Sequence, residues 1–201
     1  MDINFILILS LILAYLIGSL NFALIISKIF NLSDPKSGGS KNAGATNVLR
    51  LSGKKFGIIV LLGDFLKAVI PLMICKYFLD FGVPELVYIG FAIFLGHVFP
   101  IYFNLKGGKG VATGLGVILV LSPLVTLCLL IIFVLTLVTT RYVSFSSILA
   151  AFFMPILSFL IIYNDLNALS LIVMCALSLL LILMHHSNIK KIFNNTEGKL
   201  W

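Results

Sequence analysis

The sequence predicts an all-α polytopic membrane protein with seven transmembrane helices, two of them short, the N-terminus outside and the C-terminus cytoplasmic. Three observations carry this. First, hydrophobic residues make up 61% of the 201-residue chain and charged residues 10%, against about 25% charged in soluble domains, and the mean hydropathy is +1.19. Second, the apolar residues fall into six runs, most of them near the ~20 residues that cross a hydrocarbon layer. Third, the basic residues lie between the runs. So few charges cannot coat a water-facing globule or keep a chain disordered. Three cysteines do not make a disulfide scaffold. The net charge of +7 suits anionic ligands at a membrane face, and nucleic acid is excluded because that role needs a polar body. Length allows one domain, residues 1–201.

The first run is 3–26. Asp2 precedes it with no Lys or Arg, so it reads as a retained helix instead of a signal peptide. Lys28, Lys36, Lys41, Arg50, Lys54 and Lys55 follow, placing the first loop in the cytoplasm and the N-terminus outside. Run 56–78 leads to an outer loop at 80–85 that lacks basic residues, and run 84–103 returns to Lys106 and Lys109. Run 111–139 is too long for one comfortable helix and contains Ser122-Pro123, where proline removes a donor. It reads as one kinked helix or as two segments. Runs 143–163 and 166–184 precede a tail bearing Lys190, Lys191 and Lys199, which belongs inside. An outside start and an inside end require an odd number of crossings. Splitting 111–139 in two restores that parity and puts Arg141 inside; five full spans plus a re-entrant pair is a close variant. The first loop, the 106–110 turn, the Arg141 turn and the tail then emerge on one face. Cys75, Cys128 and Cys175 sit in apolar stretches and read as small buried hydrophobes.

That face gathers the chemistry. The first loop contains Gly38-Gly39-Ser40-Lys41-Asn42-Ala43-Gly44-Ala45-Thr46-Asn47-Val48-Leu49-Arg50. It reads either as a flexible connection or as an anion nest: glycines let amides converge, Ser and Asn add neutral donors, and Arg50 can fork onto a phosphate. The segment Lys106-Gly107-Gly108-Lys109-Gly110-Val111-Ala112-Thr113 opens a helix, whose N-terminus favours anions. It is not a Walker P-loop, because Gly110 stands where Ser or Thr is needed. A helix start with snorkelling lysines is the alternative. Asp64 and Lys67, at i and i+3, read as an internal ion pair before a substrate contact. His97, within an apolar run, reads as a supporting residue before a site-facing one. Ser144, Ser146 and Ser147 cap a helix or bind substrate, capping being the default. The tail reads as an interfacial helix with Ile189, Ile192 and Phe193 toward lipid, and His185 and Asn188 share one face. Seven acids, few of them cytoplasmic, leave no carboxylate set for a metal centre. No nucleophile elbow or zinc-protease motif occurs.

These motifs resemble those of the bacterial acyl-phosphate:glycerol-3-phosphate acyltransferases. The resemblance rests on Gly39 to Arg50, on Gly96-His97, Pro100 and Lys106 to Thr113, and on His185, Asn188 and Ile189. It covers nearly the whole chain, from about Gly18-Ser19. It implies transfer of an acyl group from acyl phosphate to the 1-hydroxyl of sn-glycerol 3-phosphate, giving lysophosphatidic acid and phosphate, the first acylation of phospholipid synthesis. It implies no cofactor and no metal. It also implies a multi-pass place in the bacterial inner membrane, a site on the cytoplasmic face, and an enzyme producing acyl phosphate as a partner. By the same resemblance Ser40, Arg50, His185 and Asn188 are catalytic. Asn42, Asn47, Lys106, Gly107, Gly108, Lys109, Gly110 and Ser147 (or Ser144) bind phosphate, and Glu197 supports structure. Lys41 and Asn195 stand where glycine is common, and Lys36 and Lys191 where arginine is common.

Overall fold

The computed structural model describes residues 3–200; Asp2, used to place the N-terminus, lies outside them. Among the described residues there are ten α-helices and no strand. They are α1 (Ile3–Gly18), α2 (Phe22–Ile29), α3 (Ala45–Ser52), α4 (Lys54–Phe78), α5 (Val83–Val98), α6 (Val111–Leu121), α7 (Pro123–Thr140), α8 (Val143–Ile162), α9 (Ala168–Leu183) and α10 (His186–Phe193). The chain divides into two compact units, Met1–Val117 and Ile118–Trp201.

In the first unit, α1 and α5 pack backbone to backbone. A Cβ on Gly18 would collide with the Ile93 carbonyl, and one on Gly96 with the Tyr15 carbonyl. Small residues at such a crossing are how helices associate where no hydrophobic effect drives them together. Run 3–26, expected as one helix, is broken at Ser19–Asn21. The α1 and α2 axes differ there by 45°, and Asn21 starts α2 by accepting from Leu24 N at 3.0 Å. Helix α5 stops before Pro100, as a residue preceding proline disfavours the helical region. The first loop carries a helix that its composition concealed, α3, with Arg50 on its last turn.

In the second unit, α7 opens as expected: Ser122 caps it by accepting from Val125 N, with Pro123 at the first helical position. Helices α8 and α9 meet through Ser178 Oγ, which donates to Ala151 O at 2.6 Å. None of the three α8 serines caps the helix. Ser146 and Ser147 donate back to Tyr142 O and Val143 O at 2.9 Å, and Ser144 turns to the tail. The tail closes on the α7–α8 turn, where Leu200 N donates to Arg141 O at 2.9 Å.

Four helical segments are long and apolar enough to cross a membrane: α4, Val83–Phe103, α7 and Val143–Asp165; counting the bent pairs α1–α2 and α9–α10 as one span each gives six. Helix α6, with 11 residues, is a shorter apolar helix. Of the two segments expected to be short only α6 is, because α7 has 18 residues. Only 22% of the α7 span is buried, and Leu124, Leu127, Ile131, Leu135 and Val138 are exposed. Lipid, not water, suits so large an apolar exterior. Cys75 is buried, but Cys128 is half-buried and Cys175 exposed on α9, because a membrane protein presents its small hydrophobes outward as readily as inward.

Candidate functional site

The first unit brings the first loop and the glycine-rich segment together. Asn47, at 2% exposure, organises the loop from α3. Its Nδ2 donates to Pro35 O at 2.8 Å and to Gly38 O and Asn42 O at 3.1 Å, and its Oδ1 accepts from Ser40 N at 2.8 Å. This side chain holds the Ser40 backbone in place and serves the site through the shape of the loop. Lys41 follows with φ +57°, and Asn42 packs its side chain against Gly44. Arg50 is exposed and Ser40 half-buried. Asn21 Nδ2 donates to Ala43 O at 3.4 Å, tying the loop to the α1–α2 break.

The glycine segment docks on the end of α5. Gly107 N donates to Val98 O at 3.1 Å and Gly108 N to His97 O at 3.2 Å. Gly108 is buried, and a Cβ there would meet the His97 ring nitrogen Nε2 and come within 2.8 Å of Ala43 O. The two donor-rich loops therefore abut at Gly108 and Ala43. Gly110 has φ +86°, and a Cβ on it would enter the Phe94 ring, so glycine is required twice over. The Gly110 carbonyl accepts the first α6 bond, from Gly114 N at 2.7 Å. The amides of 111–113 thus lie in the first turn, where a helix leaves donors without intrahelical partners. Lys109 is half-buried and Lys106 exposed beside them.

Beneath this loop pair lies a buried charge cluster. Lys67 Nζ is 2.9 Å from Asp64 Oδ1, the expected i, i+3 ion pair. It also donates to Leu20 O at 2.6 Å and meets His97 Nδ1 at 2.9 Å. Asp64 Oδ1 is held by charge more than by alignment, since no well-directed hydrogen bond reaches it. His97 is buried, as expected of a supporting residue.

The second unit holds the other residues singled out from the sequence. His185 precedes α10, buried at 2%, with Nδ1 2.9 Å from Leu181 O. A carbonyl only accepts, so Nδ1 carries a proton and donates to it. Asn188 Nδ2 and Ser144 Oγ both donate to Glu197 Oε1 at 2.7 Å. Glu197 is thus the clasp between α8, α10 and the tail. The sequence carried no geometric signal for this three-way contact, although the acid stands alone in a basic tail. Ser147 is buried near the start of α8, and Phe193 at the end of α10 is fully outward, with Ile189 and Ile192 half-buried.

Apolar spans with outward-facing apolar surfaces, combined with loops rich in amide donors and cations, define a multi-pass membrane protein. Comparison with known proteins specifies the class. Residues 8–195 match the family model described as glycerol-3-phosphate acyltransferase. A protein of that name from Albidiferax ferrireducens is 42% identical over 196 residues, covering 94% of this chain and 86% of the relative. A glycerol-3-phosphate acyltransferase 2 from Bacillus anthracis is 44% identical, covering 96% and 98%. The crystal structure of PlsY (YgiH), an integral membrane glycerol 3-phosphate acyltransferase in its glycerol 3-phosphate form, superposes with a TM-score of 0.89 at 36% identity, covering 97% of this chain and 96% of the other. Its lysophosphatidic acid form superposes with a TM-score of 0.85 at 35% identity. The chain belongs to the glycerol-3-phosphate acyltransferase family.

Proposed function

We propose that the protein transfers an acyl group from acyl phosphate to the 1-hydroxyl of sn-glycerol 3-phosphate, releasing lysophosphatidic acid and phosphate as the first acylation of phospholipid synthesis. The observation that carries this reading is the abutment of the first loop and the glycine segment at Ala43 and Gly108. It joins two sets of amide donors and the cations Lys106 and Lys109 in a protein whose relatives include one crystallised with glycerol 3-phosphate. The whole chain acts as one catalytic domain in the bacterial inner membrane, with the first loop, the glycine segment, the Arg141 turn and the tail cytoplasmic. Seven crossings, with α6 the short one, satisfy the charge rule for these loops.

The chemistry follows from the substrates. Acyl phosphate is an activated mixed anhydride with a good leaving group, so the protein has two tasks. It must hold two phosphates close together against their repulsion, and it must aim the hydroxyl. Arg50 forks onto one phosphate. Gly107, Gly108 and Gly110 with the first-turn amides of α6, assisted by Lys106, Lys109 and Ser147, hold phosphate. Asn42 adds a neutral donor, and Asn47 keeps the Ser40 amide and hydroxyl in register. His185 Nε2 accepts a hydrogen bond from a glycerol hydroxyl, and Asn188 orients the same substrate. In the transfer step the hydroxyl oxygen attacks the acyl carbonyl carbon. The bond from that carbon to the phosphate oxygen breaks, and the hydroxyl proton passes to a substrate phosphate oxygen. An acyl-phosphate-producing enzyme supplies the donor.

Ser40 in this scheme is a hydrogen-bond donor, not a nucleophile. Mass spectrometry of protein quenched during turnover should find Ser40 unmodified; an acyl-Ser40 adduct formed at the turnover rate would overturn direct transfer.

A further inference from the structure

Burying Asp64 at 2% exposure and Lys67 at 5% costs more than an apolar pair of the same volume, so the cluster calls for a reason beyond stability. Lys67 Nζ donates to Leu20 O at 2.6 Å, faces His97 Nδ1 at 2.9 Å and pairs by charge with Asp64 Oδ1 at 2.9 Å. His97 Nδ1 thus faces both members of the ion pair, Lys67 Nζ at 2.9 Å and Asp64 Oδ1 at 3.4 Å. The ring is thereby fixed, with its Nε2 edge against Gly108, where a Cβ would collide with it. The same residues clamp the glycine segment at both ends through their backbones. The His97 carbonyl takes Gly108 N at 3.2 Å, and the Asp64 carbonyl takes Thr113 Oγ1 at 3.0 Å. The Leu20 carbonyl is left without a helical partner by the α1–α2 break, so the cluster also braces the point from which Asn21 reaches Ala43.

We propose that Asp64, Lys67 and His97 are positioning residues: the ion pair locks the His97 ring, and the ring sets the height of the glycine segment against Ala43, fixing the amides that grip the glycerol 3-phosphate phosphate. The substrate named here rests on the function proposed above; the positioning of the loop does not. The cluster touches no substrate. It acts through Gly108.

The test uses the full chain in lipid nanodiscs, with His97→Ala, His97→Gln and Gly108→Ala. Gly108→Ala disturbs the same contact from the loop side and leaves the buried ion pair intact, so it decides the matter if His97→Ala fails to fold. Two readouts are taken. In amide hydrogen exchange, His97→Ala and Gly108→Ala should accelerate residues 107–113 about tenfold and leave the middle of α4 and α5 unchanged. In steady-state kinetics, KM for glycerol 3-phosphate should rise about tenfold with kcat within about threefold of the parent, the signature of lost uniform binding, and His97→Gln should recover part of the loss. Unchanged exchange in the loop, or equal acceleration throughout α4 and α5, would overturn the inference, as would loss of kcat at unchanged KM. If the parent protein does not acylate glycerol 3-phosphate at all, the proposed function fails, while the exchange experiment still decides the positioning role.

Discussion

Lys41 and Asn195 hold left-handed backbone, with φ of +57° and +55°. Both stand where the family resemblance implies glycine, and the dihedral gives a physical reason for it. Asparagine enters that region readily, and lysine does so at a cost of about 1–2 kcal/mol. Lys41→Gly should therefore stabilise the protein by roughly 0.5–1 kcal/mol, after the greater unfolded-state freedom of glycine is deducted. Thermal unfolding in detergent checks this, and a lower midpoint would contradict it. Arg50, exposed on the last turn of α3, lies outside the core, and the proposed function gives it a phosphate to hold. Arg50→Ala should lower turnover by roughly 10²–10³-fold with an unaltered unfolding midpoint, the range expected for removing a preorganised charge-stabilising donor.

Glu197 links elements distant in sequence, accepting from Ser144 on α8 and Asn188 on α10. Glu197→Ala should cost about 1–3 kcal/mol, the range for losing hydrogen bonds to a charged group, with Glu197→Gln losing less because one acceptor oxygen remains; unfolding midpoints of the two variants check the order. The elements also explain what was legible in advance. The α6–α7 break could be read because Ser122-Pro123 is both a cap and a helix start. The α1–α2 break could not, because Gly18-Ser19-Leu20-Asn21 sits within an apolar run and its carbonyl is satisfied by Lys67, 47 residues away in sequence. Helix α3 escaped because its apolar residues, Ala45, Val48, Leu49 and Leu51, fall within eight residues, too short a stretch to declare a period. The glycine segment was legible as a helix start, which the structure shows at Val111. Its contact with Ala43 and His97 was not, since only folding sets Gly108 between them.

At the scale of the whole molecule, each unit brings two of its polar segments together. In the first unit the first loop meets the glycine segment, and in the second the tail meets the Arg141 turn. The charge rule independently assigns all four segments to the cytoplasm. A reporter fused at the Arg141 turn should score cytoplasmic, and a periplasmic score would contradict the seven-crossing topology. The function is tested most directly by giving the purified protein acyl phosphate and glycerol 3-phosphate in the absence of coenzyme A and acyl-carrier protein. Lysophosphatidic acid and inorganic phosphate should appear in equal amounts. No product, or product formed only from an acyl thioester, would contradict the account.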